Sequence, residues 1–127
     1  MNILDENIPE DQRRLVQAWG IPIRQIGCDI GRKGMEDKEI ISFLQQMRGS
    51  TFFTRDQGLC QRGLCHVRYC LGYLGIEKDE IATFVRRLLH HPELNTKAKR
   101  MGAVIRVSHT GLAIWRRHAE EETRLSW

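Results

Sequence analysis

Met1-Asn2-Ile3-Leu4-Asp5-Glu6-Asn7-Ile8-Pro9 is the stretch that decides the fold. The apolar residues at its start predict a strand, and Pro9 is suited to the first turn of a helix. Asp5 and Glu6 are therefore expected at the carboxyl end of a strand that leads into a helix. Ligands bind at this edge of open α/β sheets. Two carboxylates there indicate a cation site, and hence hydrolytic or phosphoryl chemistry.

The first half of the chain alternates between strand and helix patterns. We predict strands at 1–4, 21–26 and 51–54, with helices at 10–19 and 36–47. The apolar residues of the helices recur at helical spacing. They are Leu15, Ala18 and Trp19 in the first helix, and Ile40, Ile41, Leu44 and Met47 in the second. Such alternation predicts an α/β fold with a mainly parallel sheet and right-handed crossovers.

The second half predicts fewer regular elements. A strand is expected at 66–71, a helix at 76–90 ended by Pro92, and a β-hairpin from 104–107 and 112–115. A mobile basic connection is expected at 95–100, and a flexible or helical tail at 116–127. With 127 residues and 41% apolar content, the whole chain is expected to form one domain with its own core.

The charge of the chain points to a phosphate-bearing partner. The net charge is +4, and 15 arginines stand against five lysines. The planar guanidinium fits phosphate, so nucleic acid is the indicated partner, although codon bias and surface solubility are an ordinary alternative explanation of the arginine excess.

No stretch approaches the roughly 20 apolar residues of a membrane helix, and the acidic start is unlike a signal peptide. We expect a cytoplasmic protein without a membrane partner.

The four cysteines, Cys28, Cys60, Cys65 and Cys70, are expected to be reduced in the cytoplasm. The last three follow one another at five-residue steps, which differs from the usual zinc-ligand spacings. A thiol or zinc protein is therefore the lowest-ranked hypothesis.

Three aspartates take positions that favour metal chemistry. Asp5 follows the first strand, Asp56 follows the third, and Asp37 opens the second helix. Clustered carboxylates repel one another, and Mg²⁺ or Mn²⁺ would balance them and favour phosphodiester cleavage. Each also has an ordinary explanation. Asp37 suits the helix dipole, Asp56 suits a turn, and Glu39 occupies a capping-box position.

These motifs, in this order, resemble a known family. Leu4-Asp5-Glu6-Asn7-Ile8-Pro9, Gly34-Met35-Glu36-Asp37-Lys38-Glu39-Ile40 and Phe53-Thr54-Arg55-Asp56 are similar to the pattern of small bacterial and archaeal PIN-like proteins. In that pattern a strand ends in D-E-N-x-P, a helix opens with D-x-E-I, and a strand ends in T-x-D. The resemblance covers roughly residues 1–60.

The resemblance implies a compact three-layer PIN-like fold with a Mg²⁺ or Mn²⁺ site. It also implies a relation to the VapC-type ribonuclease toxins of toxin–antitoxin systems. Carried over residue by residue, Asp5, Asp37 and Asp56 match the catalytic and metal-binding acids, and Glu6 and Glu39 are further metal-ligand candidates.

One position departs from the family pattern. Where the family continues T-x-D-x-D-F, this chain has Thr54-Arg55-Asp56-Gln57-Gly58-Leu59, so that Gly58 replaces the second acid. The alternative to a nuclease is therefore a catalytically weak or inactive PIN-like module that binds nucleic acid or protein.

Basic residues flank the expected site and predict its substrate. Arg32, Lys33, Arg55 and Arg62 are candidates to hold RNA phosphates without reading sequence. Single-stranded RNA is the expected substrate because no groove-reading motif is present. The leading hypothesis is a metal-dependent endoribonuclease, the toxin of a toxin–antitoxin system. An antitoxin protein and a homodimer, formed through the hairpin edge or the helix at 76–90, are the further expected partners.

Overall fold

The computed structural model describes residues 1–127 as a seven-stranded sheet flanked by helices. The strands are β1 (Asn2–Leu4), β2 (Arg24–Gln25), β3 (Ser50–Thr54), β4 (Tyr69–Leu74), β5 (Ala103–Val107), β6 (Gly111–Arg116) and β7 (Thr123–Ser126). The helices are α1 (Glu10–Ala18), α2 (Asp37–Met47), α3 (Ile81–His90) and α4 (Lys97–Arg100).

The order of the strands across the sheet is β2-β1-β3-β4-β5-β6-β7. The first five strands in that order run parallel, whereas β6 and β7 pair antiparallel with their neighbours. The predicted α/β class and mainly parallel sheet are confirmed. The expected neighbourhood of the first and third strands is also confirmed, because β1 pairs with β3.

The helices cover both faces of the sheet because side chains alternate along each strand. Ile3 and Phe52 point to the face on which Leu44 of α2 packs. The neighbouring Leu4 and Phe53 point to the opposite face, which α1 and α3 cover. The result is a helix–sheet–helix arrangement in three layers.

Two predictions in the first half need correction. In α1 the buried residues are Gln12 and Val16; of the predicted apolar stripe Trp19 packs against the core, whereas Leu15, which is 38% exposed, and Ala18 do not. The cause is tertiary, since the Gln12 side chain accepts a hydrogen bond from the Ala82 amide of α3 at 2.9 Å. The second strand covers only Arg24–Gln25 of the predicted 21–26.

In the second half of the chain, two observed elements begin later than predicted. The strand predicted at 66–71 lies at Tyr69–Leu74, and α3 begins at Ile81 after one 3-10 turn, Lys78–Glu80. Glu77 and Glu80 form a capping box at that turn, which fixes where the helical segment begins.

The connection predicted to be mobile at 95–100 holds a short helix, α4, which Thr96 caps. Arg100 anchors this helix to the sheet, because its guanidinium donates to Thr51 Oγ1 at 2.9 Å and to the Leu94 carbonyl at 2.8 Å. The prediction failed because these partners are distant in sequence or outside the segment.

The tail was also predicted wrongly. Residues 123–126 form β7, which pairs with β6, and the Trp127 indole donates to the Ser108 carbonyl at 2.7 Å. Because β7 covers the free edge of β6, that edge is closed to a second copy of the chain. Most of α3, the other surface expected to form a homodimer, is likewise buried within the chain.

No helix combines the length and the apolar character needed to cross a bilayer.

Candidate functional site

Asp5 and Asp56 lie at the same edge of the sheet, as predicted from the parallel strands. Asp5 directly follows β1 and is only 7% exposed. Its amide donates to the Phe53 carbonyl at 2.9 Å, which extends the pairing of β1 with β3 by one residue. Asp56 follows β3 by two residues.

The Asp5 carboxylate is held from both sides. The Thr54 hydroxyl donates to Asp5 Oδ2 at 2.6 Å, and the Glu6 amide donates to Oδ1 at 2.8 Å. The same hydroxyl accepts a hydrogen bond from the Asp56 amide at 2.9 Å. Thr54 therefore connects the first acid to the backbone of the third.

Asp37 and Asp56 approach each other beside Gly58. The Gly58 amide donates to Asp56 Oδ1 at 2.8 Å, so that the Asp56 side chain caps the short 3-10 turn at Gln57–Leu59. A Cβ on Gly58 would lie 3.0 Å from Asp56 Oδ1 and 3.5 Å from Asp37 Oδ2. The two carboxylates thus border the position where the family pattern has another acid.

These acids line one cleft of about 230 Å³. Its polar lining comes from the three aspartates, Glu6, Asn7 and Arg55, and its apolar lining from Ile8, Met35 and Ile40. Four of the acids that the sequence analysis singled out, Asp5, Glu6, Asp37 and Asp56, therefore lie together on this cleft.

The electrostatics of the cleft favour an added positive charge. Burial raises the pKa of Asp5, as do the carboxylates of Glu6 and Asp56, although the bonds from Thr54 and the Glu6 amide oppose the rise. Partial burial raises the pKa of Asp37, and the nearby Asp56 carboxylate adds to this effect. A proton or a cation would relieve the repulsion.

The donor chemistry fits Mg²⁺ or Mn²⁺, since both ions prefer carboxylate oxygens. In this arrangement, however, no group of three or more His, Cys, Asp or Glu side chains is spaced to hold a metal ion. Asp37 is the first residue of α2 and is exposed, with its carboxylate beside that of Asp56.

The two glutamate candidates have different surroundings. Glu6 lines the cleft, and its carboxylate accepts the Gly34 amide at 3.0 Å, which ties down the glycine-containing loop. Glu39 does not line the cleft. It pairs with Arg32 and completes a capping box with Glu36, as its position in the sequence predicted.

Of the four basic candidates, only Arg55 lines the cleft, and it donates to the Ile76 carbonyl at 3.1 Å. Arg32 is engaged by Glu39, and Lys33 is exposed beside the loop. Arg62 is directed elsewhere: its guanidinium lies 4.7 Å from the centre of the Trp115 ring.

Sequence reasoning missed Gln25, which is 3% exposed. Its amide group donates to the carbonyls of Asp5 at 3.0 Å, Glu6 at 3.3 Å and Ile8 at 2.9 Å. Gln25 thereby fixes the turn that carries the first two acids. The available signal was weak, because Gln25 stands next to a second polar residue, Arg24, in the predicted strand.

All four cysteines are free thiols. Burial raises the pKa of Cys60 and Cys65, and it raises the pKa of Cys70 to about 12. Because these three thiols stay protonated near neutral pH, they are poorly suited to nucleophilic chemistry.

Comparisons with known proteins supply no relative. No protein-family model, curated protein or solved structure matches the chain. The residues of the acidic cleft are therefore the basis on which a function can be assigned.

Proposed function

We propose that this protein is a PIN-like, metal-dependent endoribonuclease that cleaves single-stranded RNA, with Asp5, Asp37 and Asp56 as its catalytic residues. The observation that carries the proposal is the convergence of these three carboxylates on one cleft at the carboxyl ends of parallel strands. The raised pKa values of Asp5 and Asp37 support it, because burial and the neighbouring carboxylates both disfavour the charged forms, and a cation would offset that cost.

Asp5, Asp37 and Asp56 would hold the metal ion, with Glu6 beside them. When bound, Mg²⁺ or Mn²⁺ supplies charge that neutralises the phosphate and lowers the pKa of water at the site. Thr54 keeps the Asp5 carboxylate in one orientation, and the Glu6 amide restrains its second oxygen. Arg55 borders the cleft and offers a cation to a phosphate of the substrate.

Single-stranded RNA is the proposed substrate because its backbone is flexible enough to enter a narrow cleft at a sheet edge. The proposed biological role is that of the toxin in a toxin–antitoxin system. An RNA-cleaving protein requires restraint, and a cognate antitoxin that inserts a charged side chain into the cleft would provide it.

A second candidate function is a PIN-like module that binds nucleic acid or protein without turnover. Two observations favour it: Gly58 stands where the family pattern has an acid, and the carboxylates are not spaced as a preformed metal site. Under this alternative the protein binds RNA but does not cut it.

Cleavage of a labelled single-stranded RNA oligonucleotide with Mn²⁺ separates the two functions. We expect the wild type to cut, Asp5→Asn to lose cleavage, and EDTA to stop the reaction. Asp79→Asn is the matched control, because Asp79 is an exposed acid outside the cleft. Binding without cleavage by the wild type would favour the module, and equal cleavage by wild type and Asp5→Asn would exclude the proposed site.

A further inference from the structure

A row of paired residues crosses the sheet from the acidic cleft to its far edge. The row begins at Thr54, whose hydroxyl binds Asp5. Its members are successive partners on β3, β4, β5, β6 and β7: Thr54, Tyr73, Arg106, Ala113 and Arg124. Paired residues in neighbouring strands point to the same face, so these side chains share the face that α2 covers further back in the sheet.

Three side chains of this row reach solvent, whereas the other two, Thr54 and Ala113, are buried. Two residues back along the parallel strands, Phe52, Leu71, Val104 and Trp115 form a second row on the same face. Leu59, Leu64 and Cys65 of the segment that follows β3 pack on that second row. The first row lies beyond this cover, and there Arg106 and Arg124 are exposed and Tyr73 is partly exposed.

The two arginines of the row line one groove of about 340 Å³. Three residues with hydroxyl groups, Ser108, Thr110 and Ser126, share its lining. Arg106 forms no ion pair, and the one ion pair of Arg124 is with Glu122, a residue of its own segment, at 3.1 Å. Two arginines with hydroxyl donors around them match the chemistry of a phosphodiester.

The spacing of the row suits an extended chain. Neighbouring strands lie about 4.8 Å apart, so β5 is about 14 Å and β7 about 24 Å from β1 across the sheet. The groove lies at the same edge as the acids, because β5 runs parallel to β1 and β3 and the turn 108–110 follows it. Tyr73 lies on β4, between Thr54 and Arg106, and offers an aromatic ring to a base.

We propose that single-stranded RNA crosses the sheet along this row, with its phosphates held by Arg106 and Arg124 at a distance from the acidic cleft. Tyr73, on the strand between Thr54 and Arg106, contacts a base of the same RNA. The identity of the ligand rests on the proposed nuclease function. The binding itself does not require cleavage, and it is tested without metal.

The experiment measures binding of a fluorescent 12-nucleotide RNA by anisotropy in EDTA, over a range of salt concentrations. Each phosphate contact to a single strand contributes about 0.7 to the salt slope, so R106A/R124A is expected to lower the slope by about 1.4. We expect its affinity to fall at least about tenfold. The control is R14A/R24A, which removes the same charge from exposed positions on α1 and on the opposite edge strand, β2.

The outcomes separate this inference from the nuclease proposal. If R106A/R124A binds RNA like the wild type, or if both double variants lose affinity equally, the row is not a binding track, whereas cleavage by the wild type is judged independently with Mn²⁺. RNA that binds no better than a poly-glutamate peptide of equal charge would also overturn the inference. A melting curve for each variant verifies that the fold is intact.

Discussion

Thr54→Val is the substitution that most directly examines how the cleft is built. Valine matches threonine in shape, and Thr54 is fully buried, so the change removes a hydroxyl without opening a cavity. Two hydrogen bonds depend on that hydroxyl. It donates to Asp5 Oδ2 at 2.6 Å and accepts the Asp56 amide at 2.9 Å.

The expected destabilisation follows from these two bonds. A hydrogen bond to a charged group contributes roughly 1.5–3 kcal/mol, and a neutral one roughly 0.5–1.5 kcal/mol. Water reaches the partly buried Asp56 amide more easily than the buried Asp5 oxygen, so we expect a total loss of about 2–4 kcal/mol. For a chain of this size each kcal/mol corresponds to roughly 4 °C, and the Tm should fall by about 8–16 °C.

The loss should depend on pH in a definite direction. Burial raises the pKa of Asp5, while the bond from Thr54 opposes that rise. Removing the hydroxyl therefore raises the pKa of Asp5 further. When a carboxyl group has a higher pKa in the folded state than in the unfolded state, the free energy of unfolding falls as pH rises through the folded-state pKa. Thr54→Val should cost more at pH 7 than at pH 3.5, where Asp5 is largely protonated in both proteins.

Urea denaturation of wild type and variant at the two pH values, without metal, measures this difference. Thr54→Ser is the control, because it retains the hydroxyl and loses only a methyl group. If Thr54→Val and Thr54→Ser lose the same free energy of unfolding, or if the loss from Thr54→Val is unchanged between pH 7 and pH 3.5, the proposed role of the hydroxyl is wrong.

Two further substitutions examine the surroundings of the acids. Gly58→Asp should increase the Mn²⁺-induced rise in Tm and lower the metal-free Tm, because its side chain would begin 3.0 Å from Asp56 Oδ1. Gly58→Asn is its uncharged control, and an equal metal response in both variants would contradict this. Gln25→Ala should lower the free energy of unfolding by about 2–4 kcal/mol, because three carbonyl partners lose their donor. Urea denaturation checks this against Gln17→Ala, an exposed glutamine on α1, and similar small losses in both would refute it.

Local patterns predicted the part of the fold that carries the acids. The neighbours Ile3 and Leu4 face opposite sides of the sheet, and Pro9 directly precedes the first helix. These features depend on strand alternation and backbone chemistry within a few residues. For that reason the meeting of Asp5 and Asp56 at one edge could be predicted.

Features that depend on distant partners could not be predicted. The tail pairs as a strand only because β6 leaves an edge free for it, and α4 is anchored by Arg100 reaching Thr51 of β3. Gln25 appears as an ordinary strand residue until the turn after β1 folds against it.

The same limit applies to the basic residues. Arg62 is close to the acids in sequence, yet its side chain packs on Trp115 of β6. Arg106 and Arg124 are far from the acids in sequence, and only the strand register aligns them with Thr54. Proximity in sequence was therefore a poor guide to which arginines lie in line with the acids.

The most direct test of the central claim, that the acidic cleft binds a divalent cation, is calorimetric titration with Mn²⁺ at pH 7.5. We predict saturable binding by the wild type, loss of that binding in Asp5→Asn, and retention in Asp79→Asn. Absence of saturable binding to the wild type, or equal binding by wild type and Asp5→Asn, would contradict the claim.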